Sequence, residues 1–281
     1  MLVNDVSRFA QQKTAPNGGK YLSLSTKATC QIASRNNQTV KDTEIHALKN
    51  RVIPERYQRN MGTVGIEGQI KLLQSQVAVV GLGGLGGTVL ELLVRFGIGR
   101  MVVIDGDAFV DSNLNRQFLS RSKNIGEPKV EAARRRIRDV NPATEIEIYP
   151  VVAREEDLPE MIKGSHVVVD GLDDIQARFC LERVSKKMRI PFVHGAIAGF
   201  VGQVTTVFPE DKGLELVYGP GCLSKSGVEK DFGTPCLTPT LVATWQVSEV
   251  IKILLELGNT LRNRVLVVDL MEQVMEVVPL T

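Results

Sequence analysis

Long apolar runs are missing from this 281-residue chain. No stretch of about eighteen uninterrupted apolar residues occurs, so the sequence predicts no membrane-spanning helix. The first residues also lack the hydrophobic core of a secretory signal. Because 43% of the residues are hydrophobic, the chain can still fill the core of one large α/β domain or of two small ones.

Cysteine is scarce, and no two cysteines form a C-x-x-C pair. The four that occur are Cys30, Cys180, Cys222 and Cys236. This spacing predicts free thiols and no disulfide framework, which is typical of a reducing compartment. We therefore expect a cytoplasmic protein.

Positive charge is concentrated at the start of the chain. Residues 1–59 carry ten Lys or Arg against four Asp or Glu, although the formal net charge of the whole chain is only +2. Residues 1–50 are mostly Ser, Thr, Asn, Gln and Lys, with scattered apolar residues. We expect a flexible basic extension over residues 1–50, followed by one domain over residues 51–281. We expect no nucleic-acid partner.

A glycine-rich stretch organises the remainder. Residues 81–87 read Gly-Leu-Gly-Gly-Leu-Gly-Gly, follow an apolar run at residues 77–80 and precede a helical pattern from Val89. This order predicts a strand, a tight turn and a helix N-terminus. Gly81, Gly83 and Gly86 match a nucleotide-binding fingerprint, in which glycine lets a phosphate approach the backbone and the helix N-terminus holds the anion.

An acidic residue follows the next apolar run. Asp105 lies 24 residues after Gly81, where a carboxylate can accept hydrogen bonds from a ribose. The glycine motif and Asp105 alone fit a nicotinamide or flavin protein as well as other nucleotide-binding proteins. The identity of the nucleotide has to be decided by other residues.

Two further segments place polar residues at the predicted carboxyl edge of a parallel sheet. A polar loop covers residues 106–117, and a basic helix begins at Lys129, which can contact phosphate oxygens. A third buried strand, residues 167–169, ends in Asp170-Gly171-Leu172-Asp173-Asp174. Two such acids can hold Mg²⁺; we expect Asp173 to face the site and Asp174 to cap the following helix.

The alternation of strands and helices predicts an α/β fold with a Rossmann-like, doubly wound and mainly parallel sheet. Two predicted strands, residues 265–269 and 274–278, close the chain and give an antiparallel C-terminal part.

Seven pieces of sequence, in order over roughly residues 55–280, resemble the ThiF/MoeB/HesA family, prokaryotic relatives of ubiquitin-activating enzymes. The pieces are Gly81-Leu82-Gly83-Gly84-Leu85-Gly86, Asp105-Gly106-Asp107, Ser112-Asn113-Leu114-Asn115-Arg116-Gln117, Gly126-Glu127-Pro128-Lys129, Asp170-x-x-Asp173, His194-Gly195-Ala196 and Gly202-Gln203. The resemblance implies an adenylyltransferase that uses MgATP to adenylate the Gly-Gly carboxylate of a ubiquitin-like sulfur-carrier protein of the ThiS or MoaD type, releasing pyrophosphate.

The resemblance also implies roles for individual residues. Gly84 would lie beside the α-phosphate, Asp105 would hold the ribose, and Asp173 would hold Mg²⁺. Four side chains would line the triphosphate: Asn113, Arg116, Gln117 and Lys129. Arg59 resembles an arginine that reaches the ATP site of the partner subunit, so the family pattern implies a homodimer; without that context Arg59 is a residue on a solvated helix face.

The chain departs from the family pattern at its cysteines. Many relatives bind zinc through two C-x-x-C pairs, but here the first is reduced to Gly219-Pro220-Gly221-Cys222 and the second is missing. We expect no zinc site. Cys236 lies near the position of a reactive cysteine in many relatives, with unusual neighbours, and is either that thiol or a structural residue.

Three other functions remain open at this point. A related enzyme type, the tRNA threonylcarbamoyladenosine dehydratases, adenylates a different substrate. A non-catalytic module would bind nucleotide or carrier without turnover. An NAD-dependent oxidoreductase would leave Arg116, Lys129 and Asp173 without a purpose.

Overall fold

The computed structural model describes residues 2–16, 18–219 and 232–281. Residues 2–54 form a small N-terminal unit, which is followed by a 3-10 helix (Glu55–Asn60) and a large α/β domain. The elements of the N-terminal unit are α1 (Leu2–Phe9), β1 (Gln11–Thr14), β2 (Lys20–Leu24), α2 (Thr26–Arg35), α3 (Val40–Lys49) and β3 (Val52–Pro54).

The large domain alternates strands and helices as predicted. Its elements are α4 (Met61–Leu73), β4 (Gln76–Val80), α5 (Gly84–Phe96), β5 (Arg100–Ile104), α6 (Lys129–Val140), β6 (Glu145–Tyr149), α7 (Leu158–Met161), β7 (Val167–Asp170), α8 (Ile175–Lys187), β8 (Phe192–Ala198), β9 (Val201–Val207), α9 (Glu215–Tyr218), α10 (Leu237–Leu255), β10 (Arg264–Asp269) and β11 (Val274–Pro279). Within the described ranges, no helix is both long enough and apolar enough to cross a bilayer.

The large sheet has eight strands in the order β11-β10-β9-β8-β7-β4-β5-β6. Strands β6, β5, β4, β7 and β8 are parallel, and β9, β10 and β11 continue the sheet in antiparallel pairs. The predicted fold class is confirmed. From β4 the chain runs outward to β5 and β6, then returns to β7 on the other side of β4. Parallel sheets bind ligands where the strand order reverses in this way, at the carboxyl ends of β4 and β7.

The core consists of two layers, one on each face of the sheet. Val77 and Val79 face the layer formed with α5, α6 and α10. Ala78 and Val80, the alternate residues of the same strand, face the layer formed with α7 and α8. Because β4 is apolar at every position that enters the core, it can be covered by helices on both faces.

The N-terminal unit corrects the expectation of a flexible extension over residues 1–50. Its core brings together apolar residues that are far apart in sequence: Val6, Leu24, Ile32, Ala47 and Val52. Several of its polar residues have structural roles, since the Ser25 and Thr39 hydroxyls accept hydrogen bonds from backbone amides and cap α2 and α3. The small sheet also crosses the expected boundary, because β3 pairs with β2.

A buried polar cluster joins the N-terminal unit to the large domain. Glu44 of α3 is fully buried, and its Oε1 lies 3.3 Å from Nε of Arg56 in the 3-10 helix. Arg56 also donates to Thr26 and to Asn141 at the end of α6. Asn141 donates in turn to the buried Tyr57 hydroxyl at 2.9 Å. The two units are therefore held by hydrogen bonds and one buried ion pair.

Burial raises the pKa of Glu44 to about 7, although Arg56 opposes the shift. A carboxyl whose pKa is higher in the folded protein stabilises the fold at acidic pH, and this contribution is lost as the pH rises through about 7. Glu44→Gln lacks this pH-dependent loss. As the pH rises from 4.5 to 8, we therefore expect the free energy of unfolding of the variant to increase by up to about 3 kcal/mol relative to that of the wild type.

Urea unfolding of both proteins at several pH values measures this difference. The exposed Glu160→Gln variant is the control and should differ from the wild type by a constant amount. A constant difference for Glu44→Gln as well would contradict the assignment of a raised pKa.

Candidate nucleotide-binding site

A cavity of about 460 Å³ opens at the carboxyl ends of β4, β5 and β7. It lies where the strand order reverses, and most of the predicted binding residues line it. Those that do are Gly81, Gly83, Gly84, Asp105, Arg116, Gln117, Lys129 and Asp173. The structure thus brings together side chains from four separate segments of the chain.

The glycines of the loop serve two different purposes. Gly81 has a φ of +89°, and a Cβ on Gly86 would lie 1.9 Å from the Gly81 carbonyl oxygen. A Cβ on Gly171, which follows β7, would lie 2.5 Å from the same oxygen. These three residues are required for backbone packing. Gly83 instead faces the cavity, because the nearest atom to its Cβ position is 3.9 Å away.

Gly84 begins α5 and forms the wall of the cavity beside Arg116. Its Cβ position would lie 3.2 Å from Cγ of Arg116. The backbone amides at the N-terminus of α5 are available to an anion here, because no side chain caps this helix. The loop therefore leaves space for an anion next to its backbone, and a larger residue at Gly83 or Gly84 would fill that space.

Asp105 is a buried carboxylate that braces the glycine loop. Its Oδ2 accepts from the Leu82 amide at 2.6 Å, and its Oδ1 accepts from the Asp107 amide at 2.7 Å. Burial raises the pKa of Asp105, and the nearby Lys129 ammonium opposes that shift. Each oxygen of a carboxylate has a second lone pair, so the group can hold the loop and still accept from a ribose hydroxyl.

Lys129 places a buried cation next to Asp105 at the cavity. Only 5% of the residue is exposed, and its Nζ lies 2.8 Å from Oδ2 of Asp107 and 3.8 Å from Oδ2 of Asp105. A buried ammonium needs such partners. Because one face of the residue lines the cavity, it can also contact an anionic ligand.

Two neighbouring polar side chains come from the loop after β5. Nη1 of Arg116 donates to the Ser112 carbonyl oxygen and to Oδ1 of Asn115, both at 2.8 Å, which holds the guanidinium at the cavity. Gln117 is buried, and its Oε1 has no hydrogen-bond partner within the described part of the chain. Such an orphaned polar atom at a cavity is typical of a ligand site.

Asn113 does not line the cavity. Its Oδ1 accepts from the Val110 amide at 3.1 Å, so it shapes the loop that carries Arg116 and Gln117. The prediction that its side chain lines a triphosphate remains untested.

The two acids after β7, Asp173 and Asp174, have different environments. Oδ1 of Asp174 accepts from the Ala177 amide at 2.7 Å and caps α8. Asp173 is exposed at the cavity and forms no hydrogen bond or ion pair with a described residue. The described residues contain no cluster of three or more His, Cys, Asp or Glu that could hold a metal ion. A single free carboxylate nevertheless suits Mg²⁺, which is often bound by one or two carboxylates together with substrate phosphates.

A buried hydrogen-bond network, which the sequence did not predict, lies beneath the cavity. Oδ2 of Asp170 lies 2.6 Å from Nδ1 of His194, and Nε2 of His194 lies 3.1 Å from the Tyr218 hydroxyl. Arg178 donates to the same hydroxyl at 3.0 Å. Burial lowers the pKa of His194, although Asp170 opposes the shift. Because a carboxylate accepts hydrogen bonds, Nδ1 of His194 is the donor in this contact. Asp170 and His194 each belong to a recognised motif, whereas Tyr218 has no signal in the sequence.

Two further predicted residues, Arg59 and Cys236, do not line the cavity. Arg59 is exposed on the 3-10 helix, and Cys236 is partly buried at the start of α10, between the cavity residues Thr234 and Pro239. Cys222, with the reduced Gly219-Pro220-Gly221-Cys222 motif, is not among the described residues. The roles of Arg59 and Cys236 remain predictions.

A sequence model of the ThiF family matches residues 57–281. The chain belongs to the ThiF family. The match begins in the 3-10 helix and covers the whole large domain of this ThiF-family protein.

Curated relatives of this ThiF-family chain include enzymes of known activity. The chain is 39% identical over 238 residues to the SAMP-activating enzyme E1 of Haloferax volcanii, which covers 80% of this chain and 84% of that protein. It is 34% identical over 236 residues to the sulfur carrier protein adenylyltransferase of Thermus thermophilus, which covers 78% and 84%. These relatives, together with the family match, identify the chain as an adenylyltransferase of the E1-like type.

Solved structures of similar fold extend over the N-terminal unit as well. Escherichia coli MccB, solved with ATP, superposes with a TM-score of 0.67 at 18% identity over 97% of this chain and 95% of that chain. A second MccB structure, with MccA-N7isoASN, gives a TM-score of 0.70. At this identity the likeness concerns the fold alone, and it includes most of residues 2–54.

Proposed function

We propose that this enzyme uses MgATP to adenylate the C-terminal Gly-Gly carboxylate of a ubiquitin-like sulfur-carrier protein of the ThiS or MoaD type, with release of pyrophosphate. The observation that carries the proposal is the convergence of Arg116, Lys129 and Asp173 on one cavity beside the glycine loop. The named relatives that act on sulfur carriers support the class of substrate.

In this proposal, different residues of the cavity contact different parts of ATP. Asp105 would hold the ribose, and the backbone at Gly83 and Gly84 would contact the phosphates. Lys129 and Arg116 would offset the negative charge of the phosphates, with Gln117 beside them. Asp173 would hold Mg²⁺, which supplies further positive charge at the phosphates when it is bound.

The cations explain how the cavity can promote attack by a carboxylate. The carrier's C-terminus and the α-phosphate are both negatively charged, so they repel each other as they approach. Lys129 is buried and held by Asp105 and Asp107 before any ligand arrives. A cation that is already in place costs no reorganisation during the reaction, and it stabilises the charge that builds up on the phosphoryl oxygens. No general base is needed because the nucleophile is already ionised.

Adenylation is tested by carrier-dependent exchange of pyrophosphate into ATP. We expect Lys129→Ala and Asp173→Ala each to lower the exchange rate by about 100-fold or more, because each removes a charge from the phosphoryl site. The exposed Lys163→Ala and Asp157→Ala variants are matched controls and should exchange like the wild type. Thermal unfolding of each variant checks that the fold is intact.

The wild type must also exchange only when a Gly-Gly-ending carrier is present. Tight ATP binding without exchange, with every carrier tried, would contradict the proposal and favour a non-catalytic module. ATP turnover that requires tRNA instead of a carrier would favour the dehydratase-like enzyme.

An exposed apolar surface next to the cavity supports a protein substrate. The C-terminal hairpin exposes Met271, Val274, Met275, Val277 and Val278, and no described strand pairs with the outer edge of β11. We name these five residues the hairpin surface. Exposed apolar strands at a sheet edge are usually covered by a partner.

The hairpin surface also lies near the cavity. Leu270, in the hairpin turn, donates its amide to the carbonyl oxygen of Phe200, in the turn between β8 and β9. Ala196 and Ile197, a few residues earlier on β8, line the cavity. We therefore propose that the carrier docks on the hairpin surface, from which its C-terminal tail enters the cavity.

Docking is tested by Met271→Asp and Met275→Asp, at residues that are 63% and 57% exposed. We expect each variant to raise the carrier concentration for half-maximal exchange by about tenfold, because burying an unpaired charge opposes docking. The ATP concentration for half-maximal exchange should not change. Val3→Asp, at an exposed apolar residue of α1, is the control. An unchanged carrier dependence in both hairpin variants would exclude this surface.

We also propose a homodimer in which Arg59 of one subunit serves the ATP site of the other. Arg59 is exposed and does not line the cavity of its own chain. It is carried by a segment that is firmly held, because the neighbouring Arg56 and Tyr57 belong to the buried polar cluster.

Mixing two inactive variants tests this arrangement. If Arg59 acts across the dimer, a mixture of Arg59→Ala and Lys129→Ala subunits contains hybrid dimers with one intact site. Random pairing should then restore roughly a quarter of wild-type exchange, by mass action between equal amounts of the two subunits. A monomeric mass in solution, or a mixture as inactive as its components, would argue against it.

A further inference from the structure

The buried network beneath the cavity is fully connected. Asp170 accepts from His194, His194 accepts from the Tyr218 hydroxyl, and that hydroxyl accepts from Arg178 at 3.0 Å and from Gln203 at 3.2 Å. Among the described residues it contains one acid, Asp170, and one base, Arg178, and His194 and Tyr218 each have partners on both sides. A satisfied network of this kind holds its members rigidly.

The two charged members of the network both form hydrogen bonds with the backbone of a single residue, Leu172. Oδ1 of Asp170 accepts from the Leu172 amide at 2.9 Å. Arg178 donates to the Leu172 carbonyl oxygen from Nη2 at 2.8 Å and from Nε at 3.2 Å. Both peptide groups that flank Leu172 are therefore fixed by charge-assisted hydrogen bonds, which are stronger than neutral ones.

The preceding peptide group, between Asp170 and Gly171, is fixed at both ends as well. Gln246 donates to the Asp170 carbonyl oxygen at 2.8 Å, and the Gly171 amide donates to the Val80 carbonyl oxygen at 2.8 Å. Asp174 is anchored as the cap of α8. Asp173 lies between these anchored positions, and its own carboxylate is left without a partner among the described residues.

We propose that Tyr218 and His194 are positioning residues that aim the Asp173 carboxylate at Mg²⁺. The inference rests on the proposed function, in which Asp173 binds the metal. Tyr218 holds Arg178 on the Leu172 carbonyl oxygen, and His194 holds Asp170 on the Leu172 amide. Neither Tyr218 nor His194 lines the cavity, so neither contacts the nucleotide or the metal directly.

The chemistry of Mg²⁺ explains why such positioning matters. The ion demands near-ideal octahedral geometry, and a site with a single protein carboxylate depends on the placement of that one ligand. Some groups orient a metal ligand without contacting the metal themselves. Their removal commonly lowers metal affinity by about 10- to 100-fold. A small shift of the Leu172 peptides would therefore weaken binding of the metal while leaving the glycine loop intact.

The test measures ATP binding by calorimetry with the full-length protein, once with Mg²⁺ and once with EDTA. We expect Tyr218→Phe, which removes only a hydroxyl, to reduce the Mg²⁺-dependent gain in ATP affinity by about tenfold. ATP affinity in EDTA should stay within about twofold of the wild type, since the residues proposed to contact the nucleotide are not changed and Arg178 keeps its two bonds to Leu172. Tyr149→Phe is the control, because its hydroxyl bonds to Glu147 on β6 outside the cavity.

A second pair of variants separates positioning from stability. The amide of His194→Gln can donate to Asp170 and accept from Tyr218, so it should retain most of the Mg²⁺-dependent gain. His194→Leu can do neither and should lose it. Thermal unfolding is recorded for each protein.

Three outcomes would overturn the inference. An unchanged Mg²⁺-dependent gain in Tyr218→Phe excludes a positioning role. Equal losses of affinity in Mg²⁺ and in EDTA indicate a general structural role instead. If the wild type itself binds ATP equally well with and without Mg²⁺, Asp173 does not bind the metal as the proposed function requires. The positioning role is then contradicted as well. A wild type with a clear Mg²⁺ dependence that Tyr218→Phe leaves unaffected overturns the inference alone.

Discussion

The close approach of three backbone segments at the centre of the sheet is the constraint on which the site depends. Gly81, Gly86 and Gly171 come from the end of β4, the first turn of α5 and the end of β7. At none of the three would a Cβ be accommodated without movement of the backbone. This contact brings the glycine loop against the Asp173 loop, so the phosphate cradle and the candidate metal ligand face one cavity.

Two buried cations next to the cavity are paired with carboxylates before any ligand binds. Lys129 lies between Asp105 and Asp107 on one side, and Arg178 is paired with Asp170 on the other. Unpaired charges in such positions would be costly, and paired ones are held in fixed positions. Among the described residues, the exposed carboxylate of Asp173 and the amide oxygen of Gln117 have no partner, and the Arg116 guanidinium bonds only to neutral oxygens. A site with fixed cations and few free groups is suited to a reaction that depends on placing negative charges together.

The N-terminal unit was the largest failure of sequence analysis, and its cause is physical. Its core is formed by one or two apolar residues from each of several short elements, so no window of sequence has a strong hydrophobic period. The signals that could have revealed it are the helix caps Ser25 and Thr39, with Asp42 three residues after Thr39. The same polar residues that suggested disorder are capping groups and partners of charged residues in the folded unit.

The sequence by itself determined the α/β class, the position of the glycine loop and most of the residues around the cavity. These features depend on local order, since a strand, a turn and a helix N-terminus follow one another in the chain. Only the tertiary structure decided that Gly86 and Gly171 are packing residues, that Asn113 braces a loop, and that Tyr218 belongs to a network with His194 and Asp170. Contacts between residues tens of positions apart depend on how the sheet is ordered. No local sequence pattern predicts these long-range contacts.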